Sequence, residues 1–286
     1  MVTAADHSLL RLLARIRPKR PALGPRTIAM FEQLRAEARA EGIELLRYVL
    51  AGSMEKGTGL RRYRDRERSI PGQAVDLVVE LAPGDPPDYA THVQLASIAE
   101  RCFAGAGQAD DLDFRADRLQ WRLLPIVAQR GADGYVQRLL LPSGARVTSV
   151  RRHNDDVRMR TRASIEQCAT VGFNDCVRLL KWWRASGPEL PGFALERLAI
   201  AAFDRVGVRE GFATTLLTWA DVLASYDTRE LIDPAGDGRH ELLPSWSAQD
   251  REALAQWFAE GARALREANE LADDREAAER LAAAGL

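Results

Sequence analysis

The chain has 286 residues, 46% of them hydrophobic, enough to bury one large core or two smaller ones. Its 40 Lys and Arg against 41 Asp and Glu leave a net charge of -1, which excludes a whole-molecule electrostatic argument for nucleic acid or membrane. The cysteines Cys102, Cys168 and Cys176 have no metal-ligand spacing and read as free thiols of a reducing cytoplasm. No apolar run approaches the ~20 residues of a membrane span, and Asp6-His7 ahead of the first leucines is not the start of a signal peptide.

In chain order, Leu9, Leu10, Leu12 and Leu13 predict a short amphipathic helix over 9–16, ended by Pro18 and Pro21. Pro25-Arg26-Thr27 opens a helix to about Ala40, with Ile28, Phe31, Leu34 and Ala38 at helical spacing and Gly42 closing it. Leu45 to Ala51 reads as a strand running into Gly52-Ser53. Residues 73–81, apolar at Val75, Leu77 and Val79, read as another. A loop at Pro83, Gly84, Pro86 and Pro87 precedes a helix over 90–104. Strands follow over 119–128 and 135–141, flanking a turn at Gly131 to Gly134. The second half is helical, with segments near 162–170, 173–186, 192–205, 209–224 and 248–283. The polar, basic stretch 143–163 lacks periodicity and marks the boundary. The fold class is therefore α+β, with a first lobe over 1–160 and a helical lobe over 161–286.

The chemistry-bearing stretch is Gly52-Ser53-Met54-Glu55-Lys56-Gly57-Thr58 followed by Ala74-Val75-Asp76-Leu77-Val78-Val79-Glu80-Leu81. Backbone N–H groups at a tight Gly-Ser turn can hold phosphate without a charged side chain. Carboxylates at i and i+2 of a strand point to one face and can share metal ions. These residues resemble the signature of the polymerase-β-like nucleotidyltransferases, in which the turn cradles a triphosphate and the strand carries Asp-x-Asp.

Further resemblances follow in order. Asp117-Arg118-Leu119-Gln120-Trp121-Arg122-Leu123-Leu124-Pro125 is similar to the family's third-carboxylate strand. Val177 to Trp183 resembles a spine helix with its Lys-x-Trp, and Phe193-Ala194-Leu195-Glu196-Arg197-Leu198 the helix after it. Leu231-Ile232-Asp233-Pro234 with Gly236 resembles a late Asp-Pro turn. Together they resemble the CD-NTases, bacterial relatives of cyclic GMP-AMP synthase and oligoadenylate synthetase.

The resemblance implies a nucleotide cleft between two lobes, ATP or GTP as ligand, Mg²⁺ in any active form, and oligonucleotide second messengers in antiphage signalling. An effector or regulatory protein is the implied partner. Residue by residue, Gly52 and Ser53 match the phosphate turn, and Lys181 matches a spine lysine directed at phosphates. Asp76 matches the second metal carboxylate. Ala74 stands at the first and Arg122 at the third, and arginine stays charged at any relevant pH. Arg122 is then a candidate for binding phosphate or for pairing with Asp76 in a buried ion pair, and Tyr226 for stacking on a base.

Glu80, Asp65, Glu67 and Asp117 lie off the metal pattern. The basic loop of Arg61, Arg62, Arg64, Arg66 and Arg68 reads as solvated, with a nucleic-acid or partner contact as the alternative. The cluster from Arg146 to Arg162 reads equally as cleft-facing or as linker. Three functions stand: a nucleotide-binding, catalytically impaired CD-NTase-like protein; an active cyclic or linear oligonucleotide synthase with Ala74 engineered or the site misaligned; and a protein-interaction module built on the same fold.

Overall fold

The computed structural model describes residues 2–18, 25–61, 63–64, 69–70, 74–82, 89–103, 112–116, 119–131, 134–141, 144–147, 150–234 and 241–286. Its elements are α1 (Ala4–Ile16), α2 (Pro25–Ala40), β1 (Leu45–Ala51), α3 (Gly52–Glu55), β2 (Tyr63–Arg64), β3 (Ser69–Ile70), β4 (Val75–Leu81) and α4 (Tyr89–Cys102). Strands β5 (Asp113–Ala116), β6 (Leu119–Gly131), β7 (Gly134–Leu141) and β8 (Gly144–Val147) come next. The rest is helical: α5 (Val150–Gln167), α6 (Phe173–Arg184), α7 (Gly192–Val206), α8 (Phe212–Ala224), a 3₁₀ turn at Thr228–Glu230, α9 (Ala248–Glu270) and α10 (Asp274–Ala283).

The chain divides into two compact units. The sheet unit is Arg20–Glu55 with Gln73–Arg152; the helical unit is Met1–Lys19, Lys56–Gly72 and His153–Leu286. A single cut near residue 160 assigns the first 19 residues and the 56–72 segment to the other lobe. What ties α1 into the helical unit is Asp6. Its Oδ2 accepts from the Thr3 backbone in a capping box, while its Oδ1 accepts from Ala213 N–H at 2.9 Å, at the start of α8. Leu9, Leu13 and Ile16 then enter the helical core beside Trp183, Trp219 and Phe258.

In the sheet unit the strand order is β1-β4-β6-β7-β8, with β5 also paired to β6. Among the described residues β4 and β6 run parallel and the other pairs are antiparallel. Alternation on β4 sends Val75, Leu77, Val79 and Leu81 into a core with Phe31, Leu34 and Ala38 of α2 and Leu95, Ile98 and Ala99 of α4. Asp76, Val78 and Glu80 therefore lie on the opposite face, where Val78 meets Ala51 and Ile126.

Two expectations change, and two short strands are added. The stretch 143–163 is not aperiodic linker: β8 and then α5 occupy most of it. The buried face of α5 is His153, Asn154, Val157 and Ser164, so polar residues carry the helical period and hydrophobicity alone misses it. The helix expected over 248–283 is broken at 271–273, because Leu271 is extended and Asp273 caps a new helix by accepting from Arg275 and Glu276 N–H. Strands β5 and β8, four residues each, are too short to show a period. The loop at 83–87, most of the basic loop 61–68, Asp117 and Gly236 lie outside the described residues.

Candidate functional site

The sheet unit holds five of the matched positions, Gly52, Ser53, Ala74, Asp76 and Arg122. Strand β1 ends at Ala51, in register with Asp76 of β4. Gly52 follows with φ 69, a left-handed conformation that turns the chain into α3. A Cβ at Gly52 would overlap the Asp76 carboxylate, so glycine is required both by the turn and by the close approach. Ser53, Ala74 and Asp76 are half-buried. On the far side of β4, the parallel ladder sets Arg122 of β6 directly beside Asp76. Partners in a ladder share a face, so a guanidinium-bearing residue stands at the strand position next to the carboxylate. Arg122 is exposed, so the expected buried ion pair with Asp76 is corrected: a pairing of these two would be at the surface. Glu80, also on the Asp76 face, has its carboxylate on Arg47 at 2.6 Å.

Lys181 belongs to the helical unit and is 2% exposed. Its ammonium donates to Glu196 Oε1 at 2.6 Å and to Thr58 Oγ1 at 3.3 Å. Glu196 is a hub. The same Oε1 accepts from the Thr58 hydroxyl at 2.6 Å, while Oε2 meets Lys56 Nζ at 2.7 Å and His153 Nε2 at 2.5 Å. Burial alone would push the Glu196 carboxyl up; Lys181, Lys56 and the His153 hydrogen bond outweigh it and hold the group well below the carboxylate range. Burial pulls the Lys181 ammonium below its ordinary value against the attraction of Glu196. Burial also lowers His153, which is therefore neutral at pH 7. An ionised Glu196 only accepts, so His153 carries its proton on Nε2. Its Nδ1 is buried and has no partner among the described residues. Two ammonium groups on one carboxylate leave one positive charge in excess.

Sequence reasoning noted Glu196 only as part of a helix motif and His153 only within the 146–162 cluster, and assigned no role to Lys56 or Thr58. The signal was present in two places, the Lys-Gly-Thr that ends the Gly-Ser stretch and the Leu-Glu pair of α7.

Tyr226 is partly buried against the helical core, and the Arg205 guanidinium lies 4.7 Å from its ring centroid. One face of the proposed stacking residue is thus occupied within its own unit. In the basic cluster, Arg160 is held by Asp156 and Asp204 and Arg158 lies 3.9 Å from Asp155. Trp182 and Trp183 are buried packing residues. Among the described residues no group of three or more His, Cys, Asp or Glu is placed to hold a metal ion, and no helix is long and apolar enough to cross a membrane.

No family model matches the sequence, and no curated protein matches it by sequence. Solved structures do. CdnC of E. coli MS115-1, solved with ATP, has TM-score 0.72 and 17% identity, covering 96% of this chain and 96% of that one. The CD-NTase CdnG of Bradyrhizobium diazoefficiens, in complex with GTP, has TM-score 0.68 and 15% identity, covering 98% of each chain. DncV of Vibrio cholerae, a cyclic AMP-GMP synthase described as a prokaryotic cGAS homolog, has TM-score 0.62 and 14% identity, covering 99% of this chain and 84% of that one. The chain has the CD-NTase fold, a polymerase-β-like mixed sheet with helices together with a helical lobe.

Proposed function

We propose that this protein binds a nucleoside triphosphate, ATP or GTP, in bacterial second-messenger signalling against phage, and that it has little or no capacity for metal-dependent nucleotidyl transfer. The observation that carries the second half is the register of Arg122 with Asp76, with Ala74 immediately ahead of β4, two residues before Asp76. A two-metal site needs several carboxylates to neutralise and position its cations. Here Asp76 is the sole carboxylate at the three matched positions, and an arginine that keeps its charge stands beside it. These donors do not fit a pair of Mg²⁺ ions, and no step of the reading passes through metal.

What remains suits an anion. Gly52 brings the turn's backbone against the Asp76 strand, Ser53 offers a hydroxyl, and Arg122 is exposed. The nucleotides come from the relatives: CdnC was solved with ATP and CdnG with GTP. A protein partner is supported in the same way, since CdnC was also solved in a complex with HORMA.

The test is calorimetric titration of ATP and GTP in Mg²⁺ and then in EDTA. The expected result is an affinity that EDTA leaves unchanged, with no oligonucleotide product from labelled nucleotides in Mg²⁺ or Mn²⁺. Binding that requires Mg²⁺, or any turnover, overturns the reading in favour of an active synthase.

A further inference from the structure

Within the helical unit a groove of about 830 Å³ opens between the α6–α7 connection and the start of α9. That volume lies in the range of small-molecule sites, ~300–1,000 Å³. Gly187 lies so close to the Trp257 indole that a side chain there would overlap the ring. Pro188, Leu190, Pro191, Trp246 and Ala253 are its apolar lining residues.

Two opposite charges border this groove and do not meet. Arg184, the last residue of α6, is half-buried; its Nη1 donates to the Leu190 carbonyl at 2.8 Å, which pins the guanidinium to this lining. Its other N–H groups have no partner among the described residues. Burial lowers its pKa from the ordinary value although Glu196 attracts it, as expected of a cation without a carboxylate in contact. Glu189, next to Leu190, is exposed and forms no hydrogen bond or ion pair among the described residues. Asp250 also lines the groove, but its carboxylate accepts from Ser247 N–H at 2.8 Å and the Ser247 hydroxyl at 2.7 Å.

We propose that this groove binds a small zwitterion, an α-amino acid with a large apolar side chain. The carboxylate pairs with Arg184, the ammonium with Glu189, and the side chain lies on Trp246 and the prolines. A polyphosphate is disfavoured, because it would bring several negative charges against Glu189 and Asp250 with only Arg184 to meet them. The inference is thus independent of the nucleotide reading.

The test titrates the full chain calorimetrically with L-phenylalanine, L-phenylalaninamide, which lacks the carboxylate, and N-acetyl-L-phenylalanine, which lacks the ammonium. Phenylalanine is expected to bind saturably and each derivative about tenfold more weakly, the scale of one charge-assisted hydrogen bond. Arg184→Met should bring phenylalanine down to the amide's level and leave the amide unchanged. Glu189→Gln, at an exposed residue that supports no fold contact, should bring it down to the acetyl derivative's level. The proposal is overturned if phenylalanine shows no saturable binding up to about 10 mM, if the three probes bind alike, if Glu189→Gln leaves their ranking unchanged, or if ATP competes with phenylalanine.

Discussion

Replacing Glu196 by glutamine removes one negative charge and almost no volume, and its cost follows from the stoichiometry of the hub. Glu196 is 1% exposed and faces Lys181 and Lys56 at 2.6 and 2.7 Å. Without the carboxylate, two buried ammonium groups face each other with no counter-charge. Breaking a buried pair from one side costs about 3–5 kcal/mol, mostly from the charge left behind. Lys181→Met is predicted to behave differently. It leaves Glu196 with Lys56, one charge against one, and should cost about 1 kcal/mol or less, because the remaining pair stays neutral. Combining Lys181→Met with Glu196→Gln should recover part of the loss, as coupled neighbours do. Urea unfolding followed by tryptophan fluorescence measures all three, since Trp182, Trp183, Trp219, Trp246 and Trp257 lie in the helical unit. If Glu196→Gln loses less than about 1 kcal/mol, or Lys181→Met loses as much as Glu196→Gln, the excess-charge account of the hub is wrong.

The same hub sets a pH dependence. His153 is lowered when folded, so its contribution is complete above the ordinary histidine pKa of about 6.5 and is lost as pH falls below it, by at most about 1.4 kcal/mol per pH unit. Denaturation curves between pH 5 and 8 on wild type and His153→Gln should show that slope only in the wild type. Gly52→Ala should destabilise the turn by about 1–3 kcal/mol and weaken ATP binding, because φ 69 and the Asp76 carboxylate both oppose a Cβ. Gly42→Ala, at φ 84 with nothing within 4 Å, isolates the backbone cost alone and should lose about 1 kcal/mol and no affinity. Ala74→Asp by itself should yield no oligonucleotide product, because Arg122 stays beside Asp76; a product assay on Ala74→Asp combined with Arg122→Asp is the comparison, and full turnover by the single variant would remove Arg122 from the argument.

How much was legible depended on how local the physics is. Alternation at Val75, Leu77 and Val79 identified β4 and its face, and the resemblance of 117–125 to a third-carboxylate strand singled out Arg122, which the parallel ladder sets beside Asp76. Helix α5 was obscured because His153, Asn154 and Ser164 make its inner face and no hydrophobic period reports them. The Glu196 hub was legible only in pieces: Lys56 and Thr58 stood in one motif and Glu196 in another, but these segments and His153 are remote in sequence and no local pattern joins them. The same holds for α1, whose placement rests on Asp6 accepting from Ala213, 207 residues away.

That last link has a consequence for biosynthesis. The helical unit takes its first helix from the beginning of the chain and its partners from beyond residue 153. Leu9, Leu13 and Ile16 leave the ribosome long before Trp219, Phe258 or Leu281, the core residues they join. At about 5–20 residues per second the delay is on the order of tens of seconds. Throughout that interval the sheet unit's segments can pair, while an amphipathic helix with an uncovered apolar stripe trails from the nascent chain. A trigger-type chaperone that shields short apolar helices would act on α1, and the yield of folded protein should depend on it more than a stability measurement on the finished molecule would suggest.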